Sequence, residues 1–357
     1  MFASWDKSNQ AGTEEHIINV GVDMMELALS VISSAGFGVD IPWHSEDQNS
    51  ARGFSFRTDK HTLSFKQSLE VITKNVFLWS FLPKFLFSLP IKFLRSVKIG
   101  AEEFGEYLDE IADLAESNIL EHPTNLIELL VKAGSEDSNT SAKLSRSELK
   151  GNMYIFLFAG HETTANTLTF ALALLALNPE KQKKLFDEIQ RELNGNKPTY
   201  NDLSKLKYTL AIMNETLRMF PAVNNIPKVT TGSEWTDIDG TVVPPKTHVR
   251  ISVIGMHYNP NIWGSTVNEF KPERFLEDGD LQFSTNKLGF AAFSEGPRAC
   301  VGKKFSQIEF VTLLALVSQK YTWRVADEKL TKEYVLDATI NLALKLVNPV
   351  QLAFTAR

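Results

Sequence analysis

The run from Met153 to Leu177 limits the fold more than any other part of the chain. It is long enough to cross a bilayer as a helix, yet His161, Glu162, Thr163, Thr164 and Asn166 stand in its middle. Ionisable groups at bilayer depth are costly. A helix that is apolar all round, apart from one polar turn, is better explained as the buried central helix of a large protein, with function at that turn. Such a helix needs several others to cover it. A chain of 357 residues can supply them, as one large domain or two ordinary ones. No internal repeat or clear linker divides it, so a single domain over residues 1–357 is expected. The 43% hydrophobic and 22% charged shares argue against disorder, collagen and coiled coil.

The first two-thirds of the chain read as helical. Ser145 and Glu148 form a capping box that starts the long helix. Asn178-Pro179 ends it and starts the next, because Asn caps and Pro suits the first helical position. That next helix runs over 180–193 and closes at Gly195. Other helices are expected over 23–36, 98–120 and 204–220, and residues 134–141 read as a polar linker. After Pro221 the character changes. Residues 241–243 and 248–253 read as strands around Pro244-Pro245. The fold class is mainly α with small β-sheets.

The run from Val76 to Leu94 is rich in Phe and Leu, but Pro83 and Pro90 break it and Lys84 and Lys92 charge it. It reads as short helices or loops. Its aromatics either close a core or form a patch that dips into a membrane surface. Met1 to Lys7 carries no basic stretch followed by an apolar run, so no secretory signal is legible. By itself the chain reads as soluble or peripheral to a membrane. Lys and Arg number 37 against 43 Asp and Glu, a net charge of −6 that makes nucleic acid an unsuitable partner. One cysteine excludes a disulfide framework within the chain.

That cysteine, Cys300, lies in Phe293-Ser294-Glu295-Gly296-Pro297-Arg298-Ala299-Cys300-Val301-Gly302. The default for a lone cysteine is an inert buried thiol. Here Gly296 and Gly302 free the backbone on both sides, which suits a loop whose amides approach a thiolate. Arg298 offers positive charge to a nearby anion. One thiolate cannot build an iron–sulfur cluster or a zinc site, which need several ligands. It can be the axial ligand of a haem iron, where its electron donation favours O–O cleavage.

The pattern F-x-x-G-x-R-x-C-x-G resembles the haem-binding signature of the cytochrome P-450 family, and it is complete. Three further segments follow the family's order. Ala159-Gly160-His161-Glu162-Thr163-Thr164 resembles its oxygen-activation motif. There Gly160 would leave room for a diatomic ligand, the Thr163 hydroxyl would loosen the helix locally, and Glu162 and Thr163 would relay protons. A zinc-protease H-E-x-x-H reading fails at Ala165. Glu215-Thr216-Leu217-Arg218 places a carboxylate and a guanidinium on one helical face. Lys271-Pro272-Glu273-Arg274-Phe275 matches the family's P-E-R-F segment. By resemblance Glu215, Arg218 and Arg274 would form a buried network that holds the cysteine loop. The run from His257 to Trp263, then Phe270, resembles the usual approach to that segment, and His257 reads as a structural histidine rather than a metal ligand.

The resemblance covers nearly the whole chain, from about the family's fourth main helix to its C-terminus. It lacks the family's membrane anchor, first strands and the C-helix Trp and Arg that hold a haem propionate. Trp5 lies too near the start to replace them. Lys228 stands where the family often has a propionate-binding Arg, as a point charge without the fork. The resemblance implies a P-450 fold lacking its N-terminal part, haem b ligated by Cys300, and a monooxygenase acting on a small, apolar organic substrate with O₂. Phe293, Gly296, Arg298, Gly302 and Lys228 would bind the cofactor. No dinucleotide-binding segment is present, so a separate NADPH-dependent P-450 reductase is implied, with Lys303 and Lys304 as part of a docking face. The implied location is the cytosolic face of the endoplasmic reticulum membrane. Two alternatives stand beside this. One is a haem-thiolate isomerase or dehydratase, whose members usually lose the threonine kept here as Thr163. The other is a catalytically inactive truncated fragment.

Overall fold

The computed structural model describes residues 1–2, 5, 15–41, 43, 61–117, 123–133, 144–277, 280–281, 289–340 and 343–357. The polar run 134–141 lies outside the described residues. The helices are α1 (Val20–Phe37), α2 (Phe65–Lys74), α3 (Val76–Phe81), α4 (Lys92–Ser117), α5 (Leu126–Ala133), α6 (Arg146–Ala176), α7 (Pro179–Leu193), α8 (Lys207–Met219), α9 (Val253–His257), α10 (Pro260–Trp263), α11 (Lys303–Lys320) and α12 (Lys332–Val335). The strands are β1 (Glu15–Asn19), β2 (Asn225–Val229), β3 (Thr236–Ile238), β4 (Thr241–Val243), β5 (His248–Ser252), β6 (Leu276–Glu277), β7 (Asp280–Leu281), β8 (Tyr321–Val325), β9 (Ala338–Ile340), β10 (Leu344–Leu346) and β11 (Gln351–Ala356). The fold is mainly α. Its sheets are small and antiparallel, the largest having the order β1-β11-β8.

The residues group into two compact units, Glu26–Glu162 and Met1–Met25 with Thr163–Arg357. In the first, α2 packs along α4. Ser64 caps α2 through a capping box with Gln67, and the Phe65 ring meets Phe104 and Tyr107 of α4 at 5.8 and 5.6 Å. The start of α6 is tied to α4 by Arg146, which pairs with Asp109, Asp113 and Glu116. Ser145 and Glu148 make the expected capping box: Ser145 N donates to Glu148 Oε2 at 2.8 Å, and Glu148 N donates to Ser145 Oγ at 3.3 Å. The run from Val76 forms α3 and a 3-10 turn, Lys84–Ser88. Phe87 is buried against Trp79, whereas Phe81 and Phe85 are 78% and 70% exposed.

In the second unit every residue of α6 from Thr164 to Leu175 is buried. Trp323 of β8 donates Nε1–H to the Leu172 carbonyl at 3.0 Å, and Gln182 of α7 exchanges two hydrogen bonds with the Trp323 backbone. These bonds fix α6, α7 and the sheet together. Trp5 is a core residue: its ring lies 4.7 Å from Phe354 and its indole N–H donates to Asp23.

Asn178 stands at the N-cap of α7, with Pro179 following, but its side chain makes no capping bond; its amide instead donates back to the Leu174 carbonyl at 2.7 Å and so closes α6. Two local readings are revised. Helix α8 begins at Lys207 rather than near Ser204, because its cap comes from another helix. The buried Glu188 carboxylate of α7 accepts from Tyr208 N at 2.6 Å, Thr209 N at 2.8 Å and Thr209 Oγ at 2.7 Å. This satisfies N–H groups that a helix start leaves open, although burial pushes the Glu188 carboxyl above its usual range. The strands flanking Pro244-Pro245 belong to different sheets: β4 pairs with β3, and β5 pairs with β2. Among the described residues α1 alone is long and apolar enough to cross a membrane, and half of that window is buried.

Candidate functional site

The site rests on the C-terminal half of α8. Glu215 and Arg218 are both 0% exposed and three residues apart. Arg218 donates Nε–H to Glu215 Oε2 at 2.7 Å and Nη2–H to Oε1 at 2.9 Å. Glu215 Oε1 also accepts from Arg274 Nε at 3.1 Å and from Lys271 N at 2.9 Å. The remaining guanidinium N–H groups go to carbonyls. Arg218 reaches His257 O and Glu269 O. Arg274 reaches Trp263 O, Thr266 O and Glu269 O. Glu273 of the same P-E-R-F turn stays outside this network. It pairs with Lys181 and Lys184 of α7. Burial acts to raise its carboxyl, but those lysines and its own backbone N–H hold it down at about 2.

His257 carries the arrangement onward. Its Nδ1 lies 3.1 Å from the Arg218 carbonyl, and its Nε2 lies 3.0 Å from the Ala291 N–H. A carbonyl only accepts and an N–H only donates. The ring is therefore neutral, with its hydrogen on Nδ1. The imidazole stacks on Phe290 at 5.1 Å. Phe290 in turn meets Phe275, which meets Trp263. A side chain at Gly289 would come within 2.5 Å of Ile262, so glycine lets the chain run this close to that isoleucine.

From Ala291 the chain enters the thiol loop. Ser294 N donates to Ala291 O, and Cys300 N donates to Phe293 O at 2.9 Å. The turn needs left-handed backbone at Ser294 (φ 58°) and Gly296 (φ 78°); the first is uncommon for a residue with a side chain. Residues 295–301 are exposed, and Val301 is 83% exposed. Cys300 is a free, exposed thiol. A Cβ at Gly302 would lie 3.9 Å from its sulfur. Lys303 lies over the Phe293 ring at 5.6 Å and Lys304 over Tyr200 at 5.7 Å. One accessible cysteine sulfur beside the exposed Val301 side chain suits a planar apolar group held by a single sulfur, which is the donor set of a thiolate-ligated haem.

The other sequence-derived residues lie elsewhere. Glu162 and Thr163 are half-buried neighbours on α6. The helix is continuous there, and the Thr167 hydroxyl donates to the Thr163 carbonyl at 2.8 Å. At Gly160 a Cβ would meet the Ile32 side chain at 3.1 Å, so the glycine lets α1 and α6 approach closely. Lys228 is exposed on β2 opposite Val249. Sequence reasoning missed Glu188, Gly289 and Phe290. Only the glycine, close before the Phe293 motif, carried a signal.

Burial, and then the Arg218 charge, pushes His257 down to about 4. The unfolded value is about 6.5, so between these limits the unfolded chain binds the extra proton. The stability His257 confers is complete above about pH 6.5. It is lost as the pH falls toward 4, by roughly 3 kcal/mol in all. In urea unfolding, His257→Phe should therefore lose less stability than the parent between pH 7.5 and 4.5. Equal losses would contradict the neutral-histidine assignment.

The family model described as "Cytochrome P450" matches residues 1–345. The chain is 35% identical over 331 residues to "Cytochrome P450 monooxygenase 124" of Postia placenta, covering 90% of this chain and 60% of that protein. It is 29% identical over 354 residues to a cytochrome P450 monooxygenase of Arthrobotrys oligospora, covering 86% and 59%. It is 29% identical over 328 residues to "Cytochrome P450 3A1" of Rattus norvegicus, covering 90% and 63%. The chain thus spans about three-fifths of the length of these relatives.

Proposed function

This chain belongs to the cytochrome P-450 family, and from that premise we propose that it is a haem-thiolate monooxygenase. It inserts one oxygen atom of O₂ into a small, apolar organic substrate and sends the other to water. The carrying observation is Cys300, a lone thiol exposed on a loop whose backbone is bonded back to Phe293. Haem b, when bound, supplies the iron at which O₂ is activated. Cys300 holds that iron through its sulfur. Phe293, Gly296 and Gly302 shape the backbone around the sulfur, and Arg298 and Lys228 offer cations to the propionates. Glu162 holds and releases a proton at its carboxylate, and Thr163 moves it at its hydroxyl. Ile155 and Ala159 are exposed one turn apart on α6, and Thr163 lies a turn further along the same face. This apolar face is the side offered to the substrate.

Electrons come from an NADPH-dependent reductase that docks on a basic face including Lys303 and Lys304, both exposed beside the thiol loop. The protein works at the cytosolic face of the endoplasmic reticulum membrane. The exposed rings of Phe77, Phe81, Phe85 and Phe93 give it an apolar surface contact there.

Three outcomes test this reading. The haem-loaded, reduced chain under carbon monoxide should show the red-shifted Soret band of thiolate ligation, and Cys300→Ser should lose it. Absence of haem uptake by the parent chain would favour an inactive fragment. Thr163→Ala should raise oxygen consumption relative to product, seen as a fallen product-to-oxygen ratio; an unchanged ratio removes Thr163 from proton delivery. The pair Phe81→Ser and Phe85→Ser should cut flotation with phospholipid vesicles at least ~10-fold, since each buried ring contributes about 1.5–3 kcal/mol. Equal flotation would remove the membrane contact.

A further inference from the structure

A second cluster of ligating side chains lies in the Glu26–Glu162 unit, built by α4 and the strap that precedes α2. Helix α4 places Glu103, Glu106 and Glu110 at intervals of three and four, on one face. His61 meets that face from a separate segment, its side chain 3% exposed. Its Nδ1 lies 2.7 Å from Glu103 Oε2, and its Nε2 lies 3.4 Å from Glu110 Oε1. One donor atom each from His61, Glu103 and Glu106 all lie within 4.8 Å of one another. We propose that His61, Glu103 and Glu106 form a binding site for a divalent transition-metal ion that clasps residues 61–64 onto α4.

The surrounding bonds leave the right atoms for this. Bonds of about 2.0–2.2 Å from one ion keep its ligand atoms within about 4.4 Å of each other, a short side-chain adjustment from the observed cluster. Glu103 Oε1 is already taken by Thr62 N at 2.8 Å and Thr62 Oγ at 2.6 Å, so Oε2, which faces His61, is the oxygen the ion would use. The 2.7 Å contact between Nδ1 and Glu103 Oε2 needs a hydrogen between them, which the ion would replace, and Glu110 beside Nε2 would then hold the ring. A carboxylate on the far nitrogen is the usual way a ligating imidazole is oriented. Tyr107 stacks on the ring at 3.9 Å and donates its hydroxyl to the Leu63 carbonyl at 2.8 Å, fixing the strap. Glu106 is exposed and makes no hydrogen bond or ion pair among the described residues, so it supplies a carboxylate without breaking a contact. One imidazole with two carboxylates suits manganese(II) or zinc(II).

Manganese(II) is the better probe, because a thiolate such as Cys300 does not attract it. Titrated into the full chain and followed by electron paramagnetic resonance, it should bind at one saturable site. Amide exchange at residues 61–64 should slow on binding. Glu106→Gln, an exposed change that leaves the fold intact, should weaken binding at least ~10-fold, and His61→Ala should abolish it. Affinity should fall on acidification, since the ion displaces a proton. No saturable binding by the parent chain would overturn the site. So would unchanged affinity in both variants, which would reduce His61 to a hydrogen-bonded clamp.

Discussion

A carboxylate with no exposed surface persists in a protein only if cations and N–H groups replace the water it has lost. Glu215 meets that requirement through Arg218, Arg274 and the Lys271 amide. The two guanidiniums carry more N–H groups than one carboxylate can accept, and the surplus binds four carbonyls between His257 and Glu269. Helix α8 and the run from His257 to Arg274 are thereby held in one arrangement. The net stabilisation of such a network is small, because burying its charges is costly. Losing one partner, however, leaves an uncompensated charge and costs about 3–5 kcal/mol. Its contribution is to geometry: few other arrangements of these segments would satisfy every donor.

That geometry reaches the thiol through neutral groups. His257 bonds Arg218 on one nitrogen and Ala291 on the other, and the backbone bonds from Ala291 and Phe293 close the loop around Cys300. Charge would harm this link, since a second ring proton would point at the Ala291 N–H. Burial that keeps His257 neutral thus also keeps the loop in place. Rigidity lies underneath, and the sulfur and Val301 are left open on the outside. A group bound there meets a surface already in position rather than one that must order on binding.

The parts of this arrangement legible in the sequence are those set by short-range chemistry. The capping box at Ser145 and Glu148 and the i, i+3 pairing of Glu215 with Arg218 depend on neighbours along one helix. The P-E-R-F turn and the cysteine loop are contiguous strings. What escaped depends on residues brought together from far apart. The cap of α8 comes from Glu188 on the preceding helix, so Ser204 was a plausible but wrong start. Asn178 could cap either of two helices, and Leu174 lay within its reach. The partner strands of β4 and β5 are set by turn geometry that two proline residues do not specify. The contact of Gly160 with Ile32 also escaped, because nothing in its own helix announces it.

Helix α11 adds the last element of the frame. It starts at Lys303, directly after the loop, and runs for 18 residues with buried positions on several faces. Its N-terminal end lies beside Cys300, and helix N-termini favour nearby negative charge. One turn and a half along, Glu309 is 8% exposed, and burial pushes its carboxyl up to about 8. At neutral pH it is largely a neutral acid, so no full buried anion sets itself against that N-terminal field. The neutrality has a stability consequence opposite in sign to that of His257. A carboxyl raised above its unfolded value of about 4.3 contributes fully below that value and loses its contribution as pH rises through 8. Between about pH 4.3 and 6.5 the two buried groups therefore oppose one another. The frame that carries the thiol is consequently buffered against acid across that window, whereas above it only the Glu309 contribution still declines.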